Sequence, residues 1–301
     1  MRAKVRDTEL YFDVEGAGLV PDGLAMREQP VLFALHGGPG GDHSQFKPAF
    51  SPLADKAQIV YVDDRGCGRS ARGPRETYTL DNNVEDLEAL RQYLGLRRIG
   101  LLGVSYGGMV ALSYATRYPD NVSHLIAVVT APDYRFIKRA QEILAERGTP
   151  EQQAMAEKLW AGEFQSDDQI REYFEVLGPI YSQHYDLDKE RERRNPQSPD
   201  AINEGYAGFL RTYDVTDELR KITAPTLVIG ARHDWITAPE FSHEIAERIP
   251  GAELRMFENS GHTVYNDEYD AFIDVVRGWL TYPPRPVGDG GNTDVHDKKG
   301  V

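Results

Sequence analysis

Short apolar runs recur along the chain, and most are followed by a stretch with helical spacing. Val31 to Leu35, Gln58 to Val62, Ile99 to Leu102, His124 to Val129, Thr226 to Gly230 and Ala252 to Phe257 each read as a buried strand. Between them, Val84, Leu87, Leu90 and Leu94 recur at a helical period behind Asp81, which can cap that helix. Met109 to Tyr118 has the same character, and residues 5 to 14 alternate weakly and suggest a leading hairpin with 10–35. Strands alternating with helices predict a mostly parallel central sheet flanked by helices.

The alternation stops after Val129 and resumes at Ala224. Residues 133–213 carry charged helical segments instead, at Gln141 to Arg147, Glu151 to Trp160 and Asp167 to Leu177. We read 133–213 as a helical cap inserted between two strands of one sheet, with 1–132 and 214–282 forming the core. A cap over the strand ends would enclose a substrate and exclude water. Tyr173, Phe174, Tyr181, Tyr206 and Phe209 are candidates for its underside, and the dense run Asp188 to Arg194 reads as a solvated helix face. Residues 283–301, rich in Gly and Pro and poor in apolar side chains, read as a disordered tail.

Chemistry concentrates where strands end. Residues 103–108 are Gly-Val-Ser-Tyr-Gly-Gly, a G-x-S-x-G pattern centred on Ser105, with a strand before it and a helix after it. That is the context of a nucleophile elbow, a sharp turn that lifts a serine hydroxyl above a sheet. In α/β-hydrolases an Asp or Glu and then a His follow such a serine. Asp234 lies four residues past the strand 226–230, and His262 sits on the loop after 252–257. All three candidates therefore fall beyond strand C-termini, the edge at which open α/β sheets bind ligands. Asp267 and Asp270 are rival carboxylates, but they follow His262 and fit the next helix. The strand 31–35 runs into His36-Gly37-Gly38-Pro39-Gly40-Gly41. The N–H of Gly38, with that of Tyr106 after the serine, is a candidate oxyanion hole. Cys67 is the alternative nucleophile, with Arg65 and Arg69 near it, but no elbow follows it, and a lone cysteine is more often a small packing residue.

His-Gly-Gly-Pro-Gly (36–40), Asp-Asp-Arg-Gly-Cys-Gly-Arg-Ser (63–70), Gly-Val-Ser-Tyr-Gly-Gly (103–108) and Gly-His (261–262) together resemble the proline iminopeptidase family of α/β-hydrolases, which includes the tricorn-interacting aminopeptidases. The resemblance covers about residues 5 to 281. It implies an α/β-hydrolase fold and a serine hydrolase that removes N-terminal residues from short peptides. The family usually has Asp-Gln-Arg-Gly where this chain has Asp63-Asp64-Arg65-Gly66. Residues 202–204 resemble the cap segment that supplies an amine-binding Glu, so Glu204 is the candidate ligand for a substrate ammonium. Relatives carry a second acidic residue directly after the catalytic Asp, and here that position is Trp235, which would favour an apolar acyl group or shape a proline-sized pocket.

Composition narrows the rest. The 301 residues are 40% hydrophobic with a formal net charge of −14, which disfavours nucleic acid and anionic membranes as partners. No apolar run is long enough to span a bilayer, and the first residues lack the apolar stretch of a signal peptide. One cysteine fits a reducing, cytoplasmic setting. The eight histidines form no zinc-binding spacing, so neither a metal nor a cofactor is expected. Three hypotheses stand: an aminopeptidase; a carboxylesterase, lactonase or amidase acting on an amine-free small molecule; and a binding protein that has lost catalysis, against which the intact triad argues. The expected partner is a short peptide or small molecule, and the sequence leaves the oligomeric state open.

Overall fold

The computed structural model describes residues 1–281; the expected tail at 283–301 lies outside the described residues. Among the described residues ten strands form: β1 (Arg2–Val5), β2 (Thr8–Glu15), β3 (Leu19–Asp22), β4 (Ala25–Glu28), β5 (Val31–Leu35), β6 (Gln58–Val62), β7 (Ile99–Val104), β8 (Val122–Val128), β9 (Thr226–Ala231) and β10 (Glu253–Phe257). Eight of them make one sheet in the order β1-β2-β6-β5-β7-β8-β9-β10, antiparallel at β1-β2-β6 and parallel from β6 onward. The leading hairpin is β1–β2, and β3–β4 make a separate exposed ribbon that the weak alternation does not predict.

The core helices are α1 (Leu80–Tyr93) and α2 (Tyr106–Arg117). The inserted segment supplies α3 (Arg135–Arg147), α4 (Pro150–Ala161), α5 (Asp167–Tyr181), α6 (Leu187–Glu192) and α7 (Pro199–Ala207). After it come α8 (Pro239–Arg248), α9 (Val264–Asp267) and α10 (Tyr269–Thr281). Thr79, not Asp81, caps α1, accepting a hydrogen bond from the Asn82 N–H. Asp81 lies inside the first turn, where its charge faces the helix N-terminus and meets Arg117.

Alternate side chains of the strands feed two apolar layers. Phe33, Leu35, Leu101 and Val228 pack with Val84, Leu87, Val110, Phe241 and Ile245 of α1, α2 and α8. Leu32, Ala34, Leu102, Val104, Leu227 and Ile229 pack with Phe46, Phe50, Phe272 and Val276 on the other face. Each buried side chain of this size contributes about 2 kcal/mol through removal from water. The inserted helices join the first layer through Phe136, Leu159, Trp160, Tyr173 and Leu177, so the insertion and the sheet share one core. The two ends of the insertion meet as an antiparallel bridge between Asp133 and Asp214, flanked by hydrogen bonds from Tyr134 N to Tyr213 O (2.7 Å) and from Val215 N to Pro132 O (2.9 Å).

Helix α2 approaches the sheet closely because its first residues lack side chains. A Cβ on Gly107 would lie 2.1 Å from the Leu35 carbonyl oxygen, and one on Gly103 would lie 2.2 Å from the Gly107 oxygen. Both obstacles are backbone and cannot rotate away. Gly107→Ala is therefore expected to cost about 3 kcal/mol or more. Chemical denaturation checks this; a midpoint equal to that of the parent chain would mean α2 can shift without loss.

Candidate active site

Ser105 joins β7 to α2 with φ 56° and ψ −119°, a strained conformation for a residue with a Cβ. The strain is held on three sides. Its N–H donates to Val128 O (2.9 Å), and its carbonyl accepts from Gly108 N (2.9 Å) and Thr130 Oγ1 (2.7 Å). Tyr106 opens α2, so its N–H is among those a helix cannot pair internally. Its phenol is buried and accepts from Asn83 Nδ2 at 2.8 Å. Gly37 packs beside the serine, where an added Cβ would be 3.4 Å from Ser105 Cβ, and Gly38 follows with φ 131°, open to glycine.

Asp234 is buried on the loop after β9, and both its carboxylate oxygens are engaged. Ile236 N and Thr237 N donate to Oδ1 at 2.9 and 3.0 Å; Thr237 Oγ1 and His262 Nδ1 lie 2.9 Å from Oδ2. A carboxylate so placed fixes the imidazole with its proton on Nδ1 and leaves Nε2 as the acceptor. Ser105, His262, Gly37 and Gly38 line one cavity of about 540 Å³ at the C-terminal edge of the sheet. Sequence reasoning misses Thr237. Its hydroxyl also lies 2.8 Å from the carbonyl oxygen of Val129, a β-branched residue at φ 40° just past β8. A Thr three residues after the Asp is the available signal.

The segment between β8 and β9, helices and loops together, supplies most of the cavity wall. Of the five candidate aromatics, Tyr173, Phe174, Tyr181 and Tyr206 line it, whereas Phe209 packs on Tyr106 outside it. Helix α7 lies on the glycine-rich loop. A Cβ on Gly205 would be 2.5 Å from Pro39, and one on Gly40 would be 2.6 Å from Ile202. Ile202 and Tyr206, one turn apart, therefore face the cavity. Glu204 lies two residues from each, on the opposite side of the helix. It pairs there with Arg75 at 3.2 Å and does not line the cavity. Trp235 is also placed differently from the expectation. It is fully buried behind the wall, edge-on to Tyr181 and Trp160, because the turn that binds Asp234 to the N–H groups of 236 and 237 presents Ile236 to the cavity instead. The run 188–194 is more than a solvated face. Lys189, Glu190 and Arg193 line the cavity, with Glu190 and Arg193 paired at 3.2 Å and the Glu190 carboxyl shifted upward by burial.

Cys67 is buried against Tyr78 and Ala201, and burial pushes its thiol well above the ordinary value, which removes the thiolate a nucleophile needs. Asp42, His43 and Asp63 cluster behind the glycine-rich loop, but both oxygens of Asp63 are already engaged by protein donors. Asp63 receives His43 N and Nδ1 and Arg69 N at 2.7–2.8 Å, which makes the group a structural knot.

These features define an α/β-hydrolase, and the family profile for the alpha/beta hydrolase fold matches residues 30–269. The chain is 33% identical over 279 residues to proline iminopeptidase PfmaB of Pestalotiopsis fici, spanning 90% of this chain and 98% of that protein. It is 32% identical to the proline iminopeptidase of Saccharolobus solfataricus, over 83% of this chain and 84% of that one. Among solved structures it resembles an esterase from Exiguobacterium antarcticum, with TM-score 0.73 and 26% identity over 93% of this chain and 98% of that one. The chain belongs to the α/β-hydrolase fold family and, within it, to the proline iminopeptidases. It is a hydrolase, and none of its described helices is long and apolar enough to cross a membrane.

Asp64, where the family usually has Gln, is buried 3.8 Å from His36 Nε2. Burial first, with Asp63 and Asp86 adding to it against His36, raises its carboxyl from 3.8 to about 6. A folded-state value above the unfolded one means that the fold penalises the ionised form. The penalty is absent below about pH 4 and complete above about pH 6, so stability falls as pH rises between them. Asp64→Gln is expected to raise stability by up to about 3 kcal/mol at pH 8 and to leave it unchanged at pH 4. Melting temperatures at the two pH values check this; an equal gain at both would assign the effect to packing.

Proposed function

We propose that the protein is a serine aminopeptidase of the proline iminopeptidase type, releasing N-terminal residues from short peptides or amides. The observation that carries the reading is the strained Ser105 turn opening into the same cavity as His262, whose Nδ1 is bound to buried Asp234. In this reading Ser105 Oγ attacks the scissile carbonyl while His262 Nε2 takes its proton. The proton passes to the departing amine, and water releases the acyl group by the reverse relay. Asp234 stabilises the imidazolium. The N–H groups of Gly38 and Tyr106 hold the oxyanion, each worth about 3 kcal/mol. Residues 133–213 act as a cap that excludes water from the acyl-enzyme. The names of the fungal and archaeal relatives support this substrate class. The single cysteine supports a cytoplasmic setting.

A second reading, hydrolysis of an amine-free ester or lactone, is favoured by one observation: Glu204, the carboxylate expected to bind a substrate ammonium, is engaged by Arg75 away from the cavity. Rates on proline and alanine arylamides beside short aryl esters and lactones separate the two. The aminopeptidase reading expects kcat/KM to be higher for the proline arylamide than for its N-acetylated form. Equal rates on those two, with faster ester or lactone turnover, would favour the second. Glu204→Gln is expected to change neither amine-bearing nor amine-free turnover by more than about twofold, since an exposed ion pair is worth under about 1 kcal/mol. A selective loss on amines would return Glu204 to the site. Ser105→Ala is expected to abolish all turnover while folding normally.

A further inference from the structure

The loop that carries His262 is held by the inserted segment rather than by the sheet alone. Asp267, on α9 and nearly buried, accepts a hydrogen bond from Gly261 N (2.8 Å), the residue directly before His262. The same carboxylate accepts from Gln183 N (3.1 Å) and from the Ser182 hydroxyl, both just past the end of α5. On the other side of the histidine, Thr263 N donates to Tyr181 O at 3.3 Å. The approach is close enough that a Cβ on Gly261 would lie 2.4 Å from Tyr181 O. The Tyr181 ring meets the imidazole edge-on at 5.6 Å between centroids. The far end of the same segment is tied to the glycine-rich loop through Ser198 N to Gly40 O (2.8 Å), and to the turn just after that loop through Asn195 Nδ2 to Ser44 Oγ (2.8 Å). Residues 182–198 therefore form a strap across the cavity, fixed at one end beside the imidazole and at the other beside the proposed oxyanion hole.

We infer that Asp267 is a positioning residue for His262, through which the strap sets the place of the imidazole. It cannot be the acid of the triad, since Asp234 already holds Nδ1. Its three partners are two backbone N–H groups and a hydroxyl, so the site needs acceptors. An amide oxygen can serve the two N–H groups while its NH2 faces the Ser182 hydroxyl, which can accept. Side-chain identity thus matters through hydrogen bonding more than through charge. Misplacement of a catalytic group by about 1 Å is enough to lower turnover about 100-fold, and supporting hydrogen bonds are what prevent it.

This inference rests on the Ser105–His262 reading above. The test compares Asp267→Ala, Asp267→Asn and Ser182→Ala with the parent chain and with Ser105→Ala. Two readouts are used: steady-state turnover of the preferred substrate, and the rate of covalent inactivation by a fluorophosphonate, which needs the serine and histidine poised but no cap specificity. Asp267→Ala is expected to lower kcat and the inactivation rate together, by about 10- to 100-fold, with KM within about twofold. Asp267→Asn should recover most of both. Ser182→Ala, which keeps the Asp267–Gly261 bond, should lower both about threefold and so tests the strap even where Asp267→Ala fails to fold. A rise in KM alone, equal activity of the Ala and Asn variants, or an unaffected Ser182→Ala would each overturn the inference. An active Ser105→Ala would instead sink the underlying reading, whereas a dead Ser105→Ala beside a normal Asp267→Ala sinks this inference alone.

Discussion

A single backbone strain organises the molecule. Ser105 sits at positive φ because strand β7 must turn into helix α2 within one residue, and nothing about a serine favours that conformation. Such strain costs on the order of 1–3 kcal/mol and persists only where the surroundings over-determine it. Here they do. Gly103 and Gly107 allow strand, helix and the end of β5 to close to distances that no side chain permits, and Thr130 and Val128 hold the backbone from the adjacent strand end. The apolar layers on both sheet faces keep those strands fixed. The backbone of Ser105 is thereby fixed at the strand edge, beside the Tyr106 N–H that the helix leaves free.

The other groups that line the same cavity come from independent loops, and each loop has its own restraint. The Asp234 carboxylate folds its own turn by accepting the N–H groups two and three residues ahead, which also sends Ile236 into the cavity and Trp235 behind the wall. The glycine-rich loop is covered by α7 at contacts only glycine allows. The inserted helices therefore belong to the site as much as to the cavity wall. Their apolar core is continuous with one face of the sheet, and the strap spans the two loops on either side of the serine.

What can be read from the sequence follows the range of the interactions involved. The strands, the elbow and the positions of Asp234 and His262 depend on local patterns: an apolar run, a turn, a residue just beyond. Ser105, Asp234 and His262 are therefore conspicuous in the amino-acid order alone. The βα alternation stops after Val129, four residues before Asp133 of the bridge, but resumes only at Ala224, ten residues after Asp214. Glu204 and Trp235 depend on which way a side chain faces, and that is set by tertiary packing. One position along α7 changes the direction by about 100°, so a segment resemblance cannot decide between the cavity and Arg75. The charged run 188–194 misleads for the opposite reason: composition suggests solvent, whereas a strap tied down at Gln183 and at Asn195 turns part of it inward. Asp267 reads in sequence only as a rival to Asp234, because two of its three partners, Ser182 and Gln183, lie 85 and 84 residues away along the chain.

Hydrolysis by the proposed mechanism requires Ser105 to become the site of a covalent acyl group. Rapid-quench mass spectrometry during turnover of a slowly deacylating aryl ester tests that most directly. The predicted result is a transient mass increase equal to the acyl group, mapping to the peptide that contains Ser105 and absent from Ser105→Ala. An adduct on Cys67, or turnover at full rate with no adduct on the Ser105 peptide, would contradict it.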